Sequence, residues 1–387
     1  MLTLIRNAEV HSPRALGVQD VLVADGRIAA VGQDLSLSGT GVEEIDARGL
    51  WLLPGFVDLL THPCGGGGEG GFGNRTAELS AEDLLRAGVT TAVGALGTDS
   101  LCRSPEVLYG AIMALRARGL GAYMYSGAYR VPPVTLTGDV ARDLVLVEPV
   151  LGVGEVAIAD HRGSHPSAAE LVRLAADVQL GATLAGKRGT VLVHVGGGEQ
   201  RLALLREALA SADLPRDSFL PTHANRSRAL FEEAQALALD GAWIDFTVST
   251  TPEFIAEGEV PALDALLEAV ACGVPPDRLT VSSDAGGSLP LYVDGELRGL
   301  QQAGPGVLLQ LLAEAAARGE HFEAVLGALT ANPSAALGLA GKGRIAPGAD
   351  ADLLLYDPAA GQLEAVSCRG RWLLRDGHCH CPRISTF

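Results

Sequence analysis

The stretch Phe56-Val57-Asp58-Leu59-Leu60-Thr61-His62 is a short apolar run that closes on a histidine, and it is one of a series. The runs are Leu52–Leu59, Val89–Leu96, Gly121–Ser126, Glu155–Ala159, Gly189–His194, Ser218–Thr222, Trp243–Val248 and Leu279–Ser283. Each has the length of a buried strand, and helical patterns fill the intervals. Ser80 with Asp83, and Ser167 with Glu170, have the spacing of a capping box, in which side chains satisfy free amides of a first helical turn. Gly88 then stops the first helix just before a strand. Eight such units between residues 55 and 340 predict an α/β chain built as a TIM (β/α)8 barrel, a fold of about 250 residues. A doubly wound sheet produces the same alternation, so pattern alone leaves both open.

The flanks have a different texture. Asp20–Ala24 and Arg27–Val31 surround Asp25-Gly26, a two-residue turn suited to a hairpin. Asp352–Tyr356 and Val366–Leu374, with turns at Arg369-Gly370 and Asp376-Gly377, read as further strands. The simplest organisation is a small β-sandwich domain made from residues 1–54 and 341–387, enclosing a barrel domain at 55–340.

Composition excludes several classes. Of the 387 residues, 48% are hydrophobic and 19% charged, which rules out a disordered chain. Forty-six acidic residues against 29 basic ones give a net charge of −17, unsuited to nucleic acid or to a polybasic membrane anchor. The longest uncharged run, Ala324 to Gly341, contains Asn332-Pro333 and several glycines and does not read as a membrane span. The first residues lack the layout of a signal peptide. Six scattered cysteines make no disulfide framework. A cytoplasmic protein fits these features.

Ligand-type residues sit where the strand runs end: His62, His194, His223 and Asp284. In a barrel the C-terminal strand ends share one face, where active sites are built. Imidazoles and carboxylates converging there are donors for zinc or a similar divalent ion. A single histidine of this kind is more often structural; three on one rim favour a metal.

These residues, with the glycine run closed by Glu69 and the segments Gly341-Lys342-Gly343-Arg344-Ile345 and Gly348–Leu353, resemble the amidohydrolase superfamily. More narrowly, Gly65–Glu69, Gly97–Ser100, Gly127-Ala128-Tyr129, Asp160-His161-Arg162, Pro221-Thr222-His223 with Asn225-Arg226, and Ser283-Asp284 with Gly287-Ser288 resemble the isoaspartyl dipeptidases. The resemblance implies metal-dependent hydrolysis of β-aspartyl dipeptides to aspartate and an amino acid, by a hydroxide activated between two metals. It assigns His194 and His223 to one metal, His62 and Asp284 to the other, and general base and acid duty to Asp284. It gives Tyr129 the oxyanion, Glu69 the α-ammonium, and Arg162, Arg226 and Ser288 the carboxylates, with Gly67 and Thr98 also at the substrate. It also implies an assembly of several copies of the chain.

Two departures stand out. Leu60 occupies the place of the first histidine in the family's His-x-His, and Glu155 stands where a carboxylated lysine is common. The only lysines are Lys187, which precedes the fifth strand run, and Lys342, beyond the barrel. Counting ligands, Glu155, His194 and His223 make a full three-ligand zinc site, whereas the second metal has His62, Asp284 and a shared Glu155. One firmly held zinc and a second weak or absent one are expected. Other readings remain open at this stage: an amidohydrolase of N-acyl-amino acids or cyclic amides, or a metal-depleted protein of the same fold. His161 and Asp99 read as structural; His11, His165 and His321 have no companions. The tail His378-Cys379-His380-Cys381 reads by default as a reduced, partly exposed segment.

Overall fold

The computed structural model describes residues 2–37, 41–293 and 296–382. A strand stands at every apolar run: Phe56–Thr61 (β1), Val89–Gly94 (β2), Gly121–Ser126 (β3), Val150–Ile158 (β4), Thr190–Val195 (β5), Phe219–Thr222 (β6), Ile244–Thr247 (β7) and Leu279–Ser282 (β8). Strands β1 to β6 form one parallel sheet in sequence order, and β7 pairs with β8 in parallel. Single backbone bonds link the two sheets. Ala224 N, past β6, donates to Asp245 O of β7 at 3.1 Å, and His62 N, past β1, donates to Ala285 O, past β8, at 2.6 Å. A sequential parallel sheet with helices between its strands fits a TIM-like barrel.

Seven of these strands are buried at every residue, and β3 nearly so. Burial on both faces explains why they read as continuous apolar runs and not as alternation. Along β5, Val191 and Val193 pack with the helices, while Leu192 points the other way with Val57, Val93, Tyr125 and Leu220. His194, two residues beyond Leu192, therefore shares its face.

Two boundaries differ from the reading of the sequence. The run Leu52–Leu59 spans two elements: Trp51–Pro54 belongs to the terminal sheet, and β1 starts at Phe56. Gly55 makes the passage, since a Cβ there would lie 2.1 Å from Thr90 Oγ1. The fourth strand begins at Val150, ahead of Glu155. Gly152 and Gly154 hid it, and they are needed there: a Cβ on Gly152 would stand 2.1 Å from the Thr190 carbonyl oxygen. The cap at Ser80 is also only half of a capping box. Its hydroxyl accepts from Asp83 N, but the shorter aspartate bonds that hydroxyl instead of reaching the Ser80 amide. Ser167 and Glu170 complete both bonds.

Both chain ends join one nine-stranded sheet. Leu2–Ser12, Arg14–Ala24, Arg27–Gly32, Val42–Asp46 and Trp51–Pro54 come from the start; Leu353–Asp357, Gln362–Cys368, Arg371–Arg375 and His378–Cys379 come from the end. The hairpin turn has Asp25 and Gly26 at φ 49° and 76°, the left-handed pair that a tight hairpin requires. Ile5, Val10, Val21 and Leu52 share a core with Ile345, Leu353 and Leu355. Lys342 is buried there, its Nζ against Asp352 and 3.0 Å from Asp350 Oδ2. In the tail, Cys379 and Cys381 are half-buried and His378 and His380 exposed. None of the described helices is long and apolar enough to cross a membrane.

Candidate metal centre and substrate cavity

The strand ends bring the ligand-type residues together. His62 follows β1, Glu155 lies within β4, His194 within β5, His223 just past β6 and Asp284 two residues past β8; all five are buried. Glu155 Oε2 is 3.3 Å from His194 Nδ1 and 3.2 Å from His223 Nε2. Its other oxygen is 3.6 Å from His62 Nε2, which is 2.9 Å from Asp284 Oδ1. Among the described residues, Glu155, His194 and His223 are the one group of three whose ligand atoms all lie within 4.8 Å of one another. His223 and Asp284 adopt left-handed backbone, φ 61° and 55°, a conformation rare and costly for residues with side chains.

Each imidazole is held from behind. His62 Nδ1 donates to the Ala95 carbonyl at 3.1 Å, which leaves Nε2 facing Asp284 and Glu155. His223 Nδ1 is 2.6 Å from Thr247 Oγ1, leaving Nε2 for Glu155. His194 Nε2 lies 3.0 Å from Asp160 Oδ2, leaving Nδ1 beside Glu155 and 2.8 Å from Tyr129 OH. Outer partners of this kind fix ring orientation and tautomer in metal sites. Burial, with Arg226 and His194 nearby, brings His223 down to about 3, so its ring is neutral and free to ligate. Burial raises the pKa of Glu155, but His194 and His223 outweigh it and keep the carboxylate ionised. Two imidazole nitrogens and a carboxylate oxygen at one point are the donor set of a catalytic zinc, so these residues fit a divalent metal.

A cavity of about 790 Å³ opens over the centre, lined by Gly67, Thr98, Tyr129, Arg162, Arg226 and Ser288 among others. Glu69 Oε1 accepts from Thr98 Oγ1 and from Arg162 Nη1, each at 3.0 Å, while its Oε2 is buried without a partner. Arg162 is nearly saturated: its Nε donates to Asp160 Oδ1 at 2.9 Å and its Nη2 to Asp160 Oδ2 at 2.6 Å. Arg226 lines the cavity with no ion pair from its guanidinium among the described residues, which leaves it the more available cation.

The expected site residues thus converge, with differences of detail. Thr98 meets Glu69, and Arg162 meets protein carboxylates. Leu60 packs in the apolar cluster of Val57, Val93 and Leu192 and offers no ligand atom. Lys187 lies at the opposite strand ends, bonded to the carbonyls of Leu144, Val147 and Val150. Asp99 is structural, paired with Arg75 at 2.7 Å, whereas His161 is not: its side chain is 85% exposed at the cavity rim. His11 does have companions, the rings of Trp51 and Phe322. The reading of the sequence missed Asp160 and Thr247 as the partners behind His194 and His223. The Asp-x-Arg spacing at 160–162, just past a strand, was the available signal for the first; nothing in the sequence marked the second.

Residues 51–373 match the amidohydrolase family. The chain belongs to that family. A β-aspartyl dipeptidase from Fervidobacterium islandicum AW-1, solved with β-Asp-Leu bound, is 40% identical to this amidohydrolase, with a TM-score of 0.92 and all of both chains covered. A deacetylase of Brucella anthropi is 26% identical over 377 residues, 92% of this chain and 85% of the relative. A dihydroorotase of Elusimicrobium minutum is 38% identical over 93 residues only, spanning 24% of this amidohydrolase and 20% of that enzyme.

Proposed function

We propose that this amidohydrolase is a metal-dependent isoaspartyl dipeptidase, cleaving β-aspartyl dipeptides to aspartate and an amino acid. We infer a closed eight-stranded barrel at 55–340 carrying the site, and a β-sandwich from 1–54 and 341–387. The observation that carries the function is the charge layout beside the centre: an unpaired Arg226 lines the cavity with His194, and Glu69, held by the cavity-wall residues Thr98 and Arg162, keeps one carboxylate oxygen without a partner. A β-aspartyl dipeptide presents an α-ammonium and two carboxylates around its scissile amide, and needs such partners. Neutral cyclic amides give Glu69 and Arg226 no such use.

Glu155, His194 and His223 would hold one zinc, and His62, Asp284 and the shared Glu155 a second, weaker one. When bound, the metal supplies Lewis acidity, which lowers the pKa of a water and polarises a carbonyl. Glu69 takes the substrate's α-ammonium on its free oxygen; Arg226, with Arg162 and Ser288, takes the carboxylates. Gly67 and Thr98 shape the same wall. Asp284 accepts the proton of the attacking water and passes it to the leaving amine. Burial pushes its pKa up, but a charged, metal-free His62 in contact with it, with His223 nearby, holds the carboxylate below its usual value. Burial holds the Tyr129 phenol well above its usual value, so it keeps its proton to donate to the developing oxyanion. The test is hydrolysis of β-Asp-Leu against α-Asp-Leu by the zinc-loaded chain. Turnover of the β-linked peptide alone supports the reading; turnover of neither overturns it.

A further inference from the structure

We propose that Asp160 is a positioning residue that selects which nitrogen His194 offers to the metal and, with the same carboxylate, holds Arg162 at the substrate wall. The inference rests on the metal-centre reading above. Asp160 is 8% exposed, and both of its oxygens are occupied. Oδ1 accepts from Arg162 N at 2.8 Å and from Arg162 Nε at 2.9 Å. Oδ2 accepts from Arg162 Nη2 at 2.6 Å and faces His194 Nε2 at 3.0 Å. A carboxylate only accepts, and Glu155 faces Nδ1 as Asp160 faces Nε2; with Nδ1 given to the metal, the one His194 proton would sit on Nε2 toward Asp160. One side chain thus joins the substrate's polar wall, Glu69 and Arg162, to the metal's, His194 and Glu155.

Asparagine has the same shape but one acceptor atom. With its oxygen toward Arg162 Nε, its NH2 group meets Arg162 Nη2 and His194 Nε2, and the donors oppose each other. The ring then resolves the clash by moving its proton to Nδ1, the nitrogen that should ligate. Asp160→Asn therefore acts on both sites at once, whereas Arg162→Met removes the substrate limb, together with the 3.4 Å approach of its Nη2 to His194 Nε2, and leaves the Asp160–His194 contact.

The experiment measures zinc affinity of the full chain by competition with a chromophoric chelator, beside steady-state kinetics on β-Asp-Leu. Asp160→Asn is expected to weaken zinc binding by about 10–100-fold, the usual effect of losing an outer partner, and to raise KM by about 10-fold. Arg162→Met is expected to raise KM while zinc affinity stays within about 3-fold of wild type. Zinc affinity unchanged in Asp160→Asn, or lost equally in Arg162→Met, overturns the proposal. Should Asp160→Asn fail to fold, Asp160→Glu keeps the charge but shifts it by a methylene, and unchanged zinc affinity there overturns the proposal in the same way. Absence of β-Asp-Leu turnover in zinc-loaded wild type would sink the functional reading alone, because the zinc comparison does not depend on it.

Discussion

Glu69 and Arg162 are paired at 3.0 Å, yet the pair leaves the second Glu69 oxygen buried with no hydrogen-bond partner. An unmet buried carboxylate oxygen is costly unless a ligand supplies the donor. Replacing Glu69 by Gln removes the charge and keeps the shape. Losing one charge-assisted bond to the substrate ammonium, about 1.5–3 kcal/mol, should raise KM for β-Asp-Leu by roughly 10–100-fold with a smaller change in kcat. Steady-state kinetics on the two proteins checks this; an unchanged KM would place the ammonium elsewhere.

Metal content tests the ligand count. Wild type, dialysed against dilute zinc, should retain about one equivalent per chain, as a three-ligand site predicts. Glu155→Gln should lose it, together with turnover. Leu60→His adds an imidazole two residues before His62 and should raise retention toward two equivalents. Two tight equivalents in wild type, measured by mass spectrometry, would contradict the single-site expectation.

Asp58 gives the fold a pH dependence of unusual sign. It is fully buried, and burial pushes its carboxyl up to about 7 despite bonds from Ser283. Between the unfolded value near 3.9 and about 7 the folded chain binds more protons than the unfolded one, so this group lowers stability as pH rises through that window. Asp58→Asn removes the effect. The stability of Asp58→Asn relative to wild type should therefore climb from pH 4 to pH 7, by an amount on the order of a few kcal/mol. Urea unfolding at several pH values reads it, and a flat difference would refute the assignment.

Lys342 sits buried between Asp350 and Asp352. Lys342→Met strands two carboxylates, and breaking a buried ion pair from one side costs about 3–5 kcal/mol. Denaturant midpoints should fall accordingly. Replacing Lys342, Asp350 and Asp352 together by apolar residues should cost less than Lys342→Met alone.

What was legible in the sequence follows from what physics writes locally. Apolar runs such as Gly189–His194 announce strands because both faces are buried, and a histidine at the end of such a run is placed by the strand itself. The start of β4 was not legible: Gly152 and Gly154 are demanded by the neighbouring strand's backbone, a tertiary fact that appears in sequence only as two loop-like residues. The pairing of His223 with Thr247 and of His62 with the Ala95 carbonyl were hidden for the same reason, since each joins residues on separate strands. Leu60 was noticed as a missing ligand, but its place in an apolar cluster emerges only from packing.

The terminal sheet has a consequence for synthesis. Trp51–Pro54 pairs with Leu353–Asp357, a partner that leaves the ribosome roughly 300 residues later, tens of seconds at ordinary elongation rates. Throughout that interval the nascent chain carries an open strand edge, Trp51-Leu52-Leu53, able to pair with another chain. Slower elongation or crowded polysomes should therefore send this protein into aggregates before its last strands arrive, even where the finished molecule is stable.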